Sequence, residues 1–326
     1  MSITTTQTTH TFRSTDGSTI AYLTDGLGPA VILIPGALST ADDYAAIALT
    51  LGKHFTVHTI ERRGRGLSAP QGPAYSLATE IADVNALQAM TGATMLVGHS
   101  FGGLVALETA RHNSNVRKVA VYEPGVSIDG SINLSWLPAY ERYLAQGKQL
   151  DAFSCFSLGA GPDARRNAPH WLTRLMLPLF VKKAKLQKML TLLPENGREH
   201  REVGRSDNSY QNYGEITASV LHMTGGKTGS RWVAIQAKYL GEVIPHLQTH
   251  QFPELDHFGI DQKDPQGVAA YVATFFRGAY NVHAPACTRT RGQLIDVLVH
   301  GIMVDPAFEE VLSLETRRER YISACR

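Results

Sequence analysis

The feature that most constrains the fold of this chain is a serine between an apolar segment and a helical one. Residues 94–97 are mostly apolar and predict a buried strand, and the pentapeptide that follows, Gly98-His99-Ser100-Phe101-Gly102, matches the pattern G-x-S-x-G. Apolar residues then recur at helical spacing, at Leu104, Val105, Leu107 and Ala110. We therefore expect Ser100 at a sharp turn from strand to helix, where a strained backbone pushes its hydroxyl outward.

The residues around Ser100 suit a nucleophile. Gly98 and Gly102 lack the Cβ atom that would clash inside so tight a turn. The helix that starts at Phe101 points its free N–H groups toward any negative charge that forms beside the serine. A serine hydroxyl is a weak nucleophile, so we expect a base from elsewhere in the chain to take its proton.

Composition and charge argue against several other classes of function. The 326 residues include 31 lysines and arginines against 29 aspartates and glutamates, and the formal net charge of +2 argues against a nucleic-acid surface. No apolar run is long enough to span a bilayer, and residues 1–10 lack the apolar core of a signal peptide. Three widely spaced cysteines predict neither a disulfide framework nor a zinc site, and the pair His246 and His250 lacks a third ligand. We therefore expect a cytoplasmic protein that needs no metal ion.

Strand and helix patterns alternate along most of the chain. The predicted strands are at residues 11–13, 19–23, 31–34, 55–60, 94–97, 116–122, 219–224 and 246–252. Helical periods fall between them, at 44–51, 77–90 and 232–240, with a last helix opened by Asp264-Pro265. This alternation predicts an α/β fold with a mostly parallel central sheet and helices on both faces. Ligands bind at the carboxyl ends of such strands, which places Ala37, Ser100 and Glu123 on one edge.

One long segment interrupts the alternation. From residue 125 to 215 the strand pattern stops and the sequence becomes helical and aromatic, which predicts a helical cap over the strand ends. Residues 1–124 and 216–280 then form the α/β core. Residues 281–326 predict a linker and two helices, a C-terminal extension with an apolar stripe that needs a partner surface. That surface belongs either to the domain itself or to a second copy in a homodimer.

His257 is the best candidate for the base among the 13 histidines. It follows the last predicted strand in the loop Pro253-Glu254-Leu255-Asp256-His257-Phe258-Gly259, at the same sheet edge as Ser100. An imidazole titrates near the working pH of most enzymes, which suits it to take the proton of the serine. His99 should point away from Ser100, and we interpret it as a packing residue.

With these residues in place, the chain resembles the α/β-hydrolase fold superfamily over about residues 10–278. The resemblance rests on the serine turn, on Pro35-Gly36-Ala37 after an earlier strand and on His257 after the last one. It implies a catalytic triad in the order serine, acid, histidine. It also implies an oxyanion hole made by the backbone N–H groups of Ala37 and Phe101. The His-Gly pair that is frequent in that loop is Pro35-Gly36 here.

The acid of the triad is the open point of this resemblance. Most members of the family carry it after the strand predicted at 219–224, but the loop Gly225–Ser230 contains no carboxylate. Some members place it after the preceding strand, where Glu123 stands in this chain. Asp256 is the rival, and it is the weaker one because adjacent side chains usually point apart.

These residues predict a serine hydrolase that cleaves a carboxylic ester or a lactone through an acyl-enzyme on Ser100, with no cofactor. The aromatic cap favours an apolar or aromatic substrate, and Leu38, Trp136 and Tyr140 are the expected substrate-binding residues. Two alternatives remain open. Cofactor-free lyases and oxygenases keep the serine and histidine on the same scaffold, and ligand receptors use it with slow or no turnover.

Overall fold

One sheet of eight strands organises the part of the chain that the computed structural model describes, residues 8–160 and 168–278. The strands are β1 (Thr8–Arg13), β2 (Thr19–Asp25), β3 (Ala30–Ile34), β4 (Thr56–Glu61), β5 (Met95–His99), β6 (Lys118–Tyr122), β7 (Ser219–Gly225) and β8 (Leu247–Phe252). Their order across the sheet is β1-β2-β4-β3-β5-β6-β7-β8. β1 and β2 pair antiparallel, as do β2 and β4, and every neighbouring pair from β4 to β8 is parallel.

Helices fill the connections and cover both faces of this sheet. The described helices are α1 (Ala45–Leu51), α2 (Leu77–Thr91), α3 (Phe101–His112), α4 (Leu137–Ala145), α5 (Gln149–Gly159), α6 (His170–Phe180), α7 (Lys183–Thr191), α8 (Leu193–Arg205), α9 (Arg231–Val243) and α10 (Pro265–Phe276). α1 packs against α10, and α2 packs against α3. Consecutive residues of the central strands are fully buried, including Val31 to Ile34 in β3, as expected of strands covered on both sides.

The predicted α/β architecture is confirmed, with shifts of one to three residues at the ends of elements. β5 runs on to His99, two residues past the predicted end, so the strand leads directly into the serine turn. β6 begins at Lys118 instead of residue 116. Val116 is buried although it lies in the irregular segment before β6, so its apolar character indicates burial and not strand structure. Asp264 caps α10 as predicted, and its carboxylate accepts a hydrogen bond from the N–H of Gly267.

The stretch between β6 and β7 contains helices α4 to α8 and no strand among its described residues. Several of these helices share a buried apolar cluster that also includes Leu38, from the loop after β3. The boundaries of the cap at 125 and 215 stay a prediction. The C-terminal extension at 281–326 and the homodimer through it lie outside the described residues. None of the described helices has the length and apolar character required to cross a membrane.

Candidate active site

Ser100 occupies the tight turn between β5 and α3, as its sequence context predicts. Its backbone angles are φ 53° and ψ −122°, a region that residues with a side chain rarely adopt. The turn is packed so closely that a Cβ atom at Gly102 would overlap the carbonyl oxygens of Ile34 and Pro35. Glycine is therefore required there, and the turn lies directly against the loop that follows β3.

Three predicted site residues share a strained backbone at one edge of the sheet. Leu38 has a φ of 55°, Ser100 of 53° and Glu123 of 42°. They follow the ends of β3, β5 and β6, three neighbouring strands that run parallel. Positive φ at non-glycine residues is costly and concentrates at functional sites, because the surrounding structure must hold it. Three of the five described non-glycine residues with positive φ therefore lie at the sheet edge where the site is predicted.

The structure brings Glu123 and His257 together. Nδ1 of His257 lies 2.7 Å from Oε2 of Glu123, whose side chain is fully buried. The other carboxylate oxygen accepts hydrogen bonds from the N–H of Gly225 at 2.8 Å and from the hydroxyl of Thr228 at 2.5 Å. The end of β7 and the loop after it, which has no carboxylate of its own, thus supply the donors that stabilise the charge of Glu123.

The electrostatic setting of His257 follows from this contact. Burial disfavours the imidazolium, but the hydrogen bond and the charge of Glu123 outweigh it and raise the pKa of His257 above its usual 6.5. The more distant carboxylates of Asp261 and Asp256 act in the same direction. A carboxylate beside Nδ1 keeps the proton on that nitrogen, which leaves Nε2 free to accept a second one.

The carboxylate of Asp256 has a different contact. Its Oδ1 accepts a hydrogen bond from the N–H of Phe258 at 2.9 Å, which closes a local turn. The backbone carbonyl of Asp256 accepts the hydroxyl of Tyr122 at 2.8 Å. Asp256 and Tyr122 therefore shape the loop that carries His257, whereas Glu123 contacts the imidazole.

The residues expected to form an oxyanion hole are Phe101, which follows the serine, and Ala37, in the loop after β3. A Cβ atom built on Gly36 would be 3.3 Å from Cβ of Ser100, so the loop after β3 touches the serine turn. Within the described part of the chain, the N–H groups of Ala37 and Phe101 have no hydrogen-bond acceptor. Unpaired donors next to a strained serine can bind a negatively charged oxygen.

His99 has more contacts than the packing role that its sequence position suggested. It is buried, with Nε2 2.8 Å from the carbonyl oxygen of His257 and Nδ1 2.6 Å from the hydroxyl of Tyr44. Burial and the nearby His257 lower its pKa well below 6.5, so its ring is neutral. A carbonyl only accepts, so Nε2 carries the proton and Nδ1 accepts from Tyr44. No sequence motif announces this bridge.

The residues expected to bind substrate lie in the buried apolar cluster shared by the helices between β6 and β7 and the loop after β3. Leu38, Trp136 and Tyr140 all belong to it. Tyr140 is fully buried, and its hydroxyl donates to the carbonyl of Leu193 at 2.6 Å. The indole N–H of Trp136 donates to the carbonyl of Asn133 at 2.9 Å. Their polar atoms thus bond to other residues of the stretch between β6 and β7, and their role in substrate binding stays a prediction.

One family model and several relatives match parts of this chain. A family model described as the alpha/beta hydrolase family matches residues 31–271. The chain is 29% identical to an N-formylmaleamate deformylase of Pseudomonas putida over 48% of its own length, and 32% identical to a pimeloyl-[acyl-carrier protein] methyl ester esterase of Xanthomonas campestris pv. campestris over 29%. These matches span 62% and 37% of the two relatives.

The fold has a match among solved structures over most of the described chain. An alpha/beta hydrolase from Sphaerobacter thermophilus superimposes with a TM-score of 0.70 at 28% identity, covering 82% of this chain and 100% of that one.

Proposed function

The chain belongs to the α/β-hydrolase family, and from this premise we propose that it is a serine hydrolase that cleaves a carboxylic ester or a lactone through an acyl-enzyme on Ser100. The observation that carries the proposal is the 2.7 Å contact between His257 and the buried Glu123. Glu123 and Ser100 follow the ends of adjacent parallel strands, so this pair and Ser100 belong to the same edge of the sheet. A fixed, proton-accepting imidazole at that edge is what a serine hydroxyl needs to become a nucleophile.

The first half of the reaction forms the acyl-enzyme. Nε2 of His257 takes the hydroxyl proton as Oγ of Ser100 bonds to the substrate carbonyl carbon. The negative charge moves to the carbonyl oxygen, which the N–H groups of Ala37 and Phe101 stabilise, and each such donor is worth about 3 kcal/mol of the barrier. The tetrahedral intermediate then collapses, the bond to the leaving oxygen breaks, and His257 returns its proton to that oxygen.

The second half releases the acid. His257 takes a proton from water, whose oxygen attacks the acyl carbon and forms a second tetrahedral intermediate on the same donors. Collapse of this intermediate breaks the bond to Oγ, and His257 gives the proton back to Ser100. Glu123 stays ionised throughout, holding the imidazole and offsetting the positive charge that it acquires twice in each turnover.

The substrate that we propose has an apolar or aromatic moiety. The apolar cluster of the cap extends to Leu38, two residues past Gly36, which itself lies against the serine turn. The methyl ester esterase among the relatives supports ester cleavage. Leu38 is the member of the cluster closest in sequence to the proposed oxyanion donors, and we assign it the most direct contact with substrate.

A second candidate is hydrolysis of an N-formyl amide. The deformylase from Pseudomonas putida is the relative that matches the longer part of this chain, which favours this alternative. The same residues serve it, because His257 can protonate a leaving nitrogen as it does a leaving oxygen.

Turnover of a panel of substrates tests both candidates. The panel contains aryl and alkyl esters of varied acyl size, lactones and N-formyl amides, and each is assayed with the wild type and with Ser100→Ala. We expect the esters or lactones to be cleaved at the highest kcat/KM, with the activity lost in the variant. Preference for the N-formyl amides would replace the first candidate by the second, and equal turnover by Ser100→Ala would refute both.

A further inference from the structure

The loop after β4 places an arginine against the proposed oxyanion hole. The side chain of Arg62 is fully buried, and its Nη2 donates to the carbonyl oxygen of Gly36 at 2.8 Å. That carbonyl and the N–H of Ala37 belong to the same peptide group. The described chain has no cis peptide bond, so the two point in opposite directions. By holding the oxygen on one side, Arg62 fixes the direction in which the N–H of Ala37 points.

The guanidinium also polarises the peptide group that it holds. A positive charge on the carbonyl side draws electron density away from the N–H, which makes the N–H of Ala37 a stronger donor. The centre of the guanidinium lies 5.0 Å from the ring of Phe101, the residue that carries the other proposed donor. Arg62 therefore contacts both segments of the proposed oxyanion hole, through the carbonyl of Gly36 and the ring of Phe101.

The preceding peptide group is held as well. The N–H of Gly36 donates to the hydroxyl of Tyr44 at 2.9 Å, and that hydroxyl lies 2.6 Å from Nδ1 of His99. His99 in turn holds the carbonyl of His257. Gly36 is thus hydrogen-bonded at both its N–H and its carbonyl. Only the bond from Arg62 is made to the peptide group that also contains the proposed donor, the N–H of Ala37.

Two buried carboxylates hold Arg62 in place. Nη1 lies 2.9 Å from Oε1 of Glu199 and 3.1 Å from Oε1 of Glu80, and all three side chains are excluded from solvent. Glu199 belongs to α8, in the helical stretch between β6 and β7, whereas Glu80 belongs to α2. Burying a charged cluster of this kind is costly, and removing one partner costs more than keeping it. The cluster connects α8 to the loop that carries Gly36.

We propose that Arg62 is a positioning residue for the oxyanion hole, and that Glu199 holds it in the working geometry. The inference rests on the proposed serine chemistry. It makes the orientation and donor strength of the Ala37 N–H depend on a side chain that touches no substrate. The loss of Arg62 then reduces the stabilisation of the transition state and leaves the binding of the substrate in its ground state unchanged.

The test compares Arg62→Met with the wild type on the best ester of the panel. We expect kcat per active site to fall about 10-fold to 100-fold, with KM within about twofold. The affinity for an aryl trifluoromethyl ketone, whose adduct with serine places an oxyanion in the hole, should fall in parallel with kcat. Active sites are counted by titration with a fluorophosphonate, so that a misfolded fraction does not count as lost catalysis.

The matched control is Arg63→Met. Arg63 is the next residue of the same loop and is also buried, but its guanidinium pairs with Asp83 at 2.8 Å and 2.9 Å. We expect a lower melting temperature with little change in kcat per active site. If Arg62→Met does not fold, Arg62→Lys and Glu199→Gln are measured in its place, and ketone affinity should fall in both.

The outcomes separate this inference from the proposed function. A wild type that neither cleaves the esters nor reacts with the fluorophosphonate refutes the function itself. A wild type that does both, with Arg62 variants that keep kcat and ketone affinity, refutes only the role of Arg62. Equal loss of ketone affinity in Arg63→Met would also refute it, since the effect would then come from general damage to the loop.

Discussion

Glu123 is the residue on which the electrostatics of the site depend. It is fully buried, and three groups share its two oxygens: the imidazole of His257, the hydroxyl of Thr228 and the N–H of Gly225. An ionised carboxylate inside a protein needs such partners, because each replaces hydration that burial removes. The bonds from Thr228 and Gly225 to Oε1 orient the carboxylate so that Oε2 faces Nδ1 of His257.

Replacing Glu123 by glutamine should remove the charge and reverse the contact. The amide of Gln would donate to Nδ1 of His257, which forces the ring proton onto Nε2. A protonated Nε2 cannot accept the proton of Ser100. We expect kcat/KM to fall on the order of 10³-fold to 10⁴-fold. Asp256→Asn is the control, with a change of less than about threefold, and comparable losses in both variants would contradict the assignment of the acid.

The pH dependence of kcat/KM shows whether Glu123 raises or lowers the pKa of His257. His257 acts as a base only when neutral, and Glu123 raises its pKa above 6.5, so the acid limb of kcat/KM in the wild type should have its midpoint above pH 6.5. In Glu123→Gln the stabilising charge is gone, and the residual activity should persist to lower pH. A midpoint that stays in place or rises in the variant would contradict the electrostatic role.

Thr228 should matter through its hydroxyl. Thr228→Val leaves one oxygen of a buried carboxylate with a single donor, and we expect a loss of about 1 to 3 kcal/mol in the free energy of unfolding, with reduced kcat/KM. Thr228→Ser keeps the hydroxyl and should retain most of both. Both variants are measured by denaturant unfolding and by ester turnover. Equal stability and equal kcat/KM in Thr228→Val and Thr228→Ser would show that the hydroxyl contributes nothing.

At the scale of elements, the site depends on how closely the serine turn packs against the loop after β3. Gly102→Ala would push a methyl group into the carbonyls of Ile34 and Pro35, and we expect it to lower the free energy of unfolding by about 1 to 3 kcal/mol and to displace the Gly36 peptide. The control is Gly241→Ala in α9, where a Cβ meets nothing within 4 Å. That change should leave activity intact and stabilise the fold by about 0.5 to 1 kcal/mol. An active, stable Gly102→Ala would contradict this packing.

The elements were predictable because local patterns carry their signals. Alternating apolar runs and helical periods gave the parallel sheet, and the glycines of the serine turn marked the strand-to-helix junction before Phe101. The contacts that orient the site come instead from residues far apart in the chain. Thr228 reaches Glu123 across 105 positions and Arg62 reaches Glu199 across 137. No local pattern records such pairs, so hydropathy and motif spacing could not reveal them.

At the scale of the whole molecule, the buried charges around Glu199 connect the helical stretch to the sheet. Glu199 lies 2.9 Å from Arg62 and 2.7 Å from Arg65, whose side chains are both excluded from solvent. Glu199→Ala would leave two buried cations short of a partner, and we expect the free energy of unfolding to fall by about 3 to 5 kcal/mol. Glu254→Ala breaks an exposed ion pair with Lys227 and should change the free energy of unfolding little. Equal effects in thermal or denaturant unfolding would mean that the buried cluster does not stabilise the fold.

Active-site labelling is the most direct test of whether His257 activates the hydroxyl of Ser100. The protein is incubated with a fluorophosphonate, and the modified peptide is identified by mass spectrometry. We predict one phosphonyl group per chain on Ser100, with no adduct in Ser100→Ala and labelling of His257→Gln slowed by at least about 10³-fold. A chain that stays unlabelled, carries the adduct on another residue or labels equally fast without His257 would contradict this prediction.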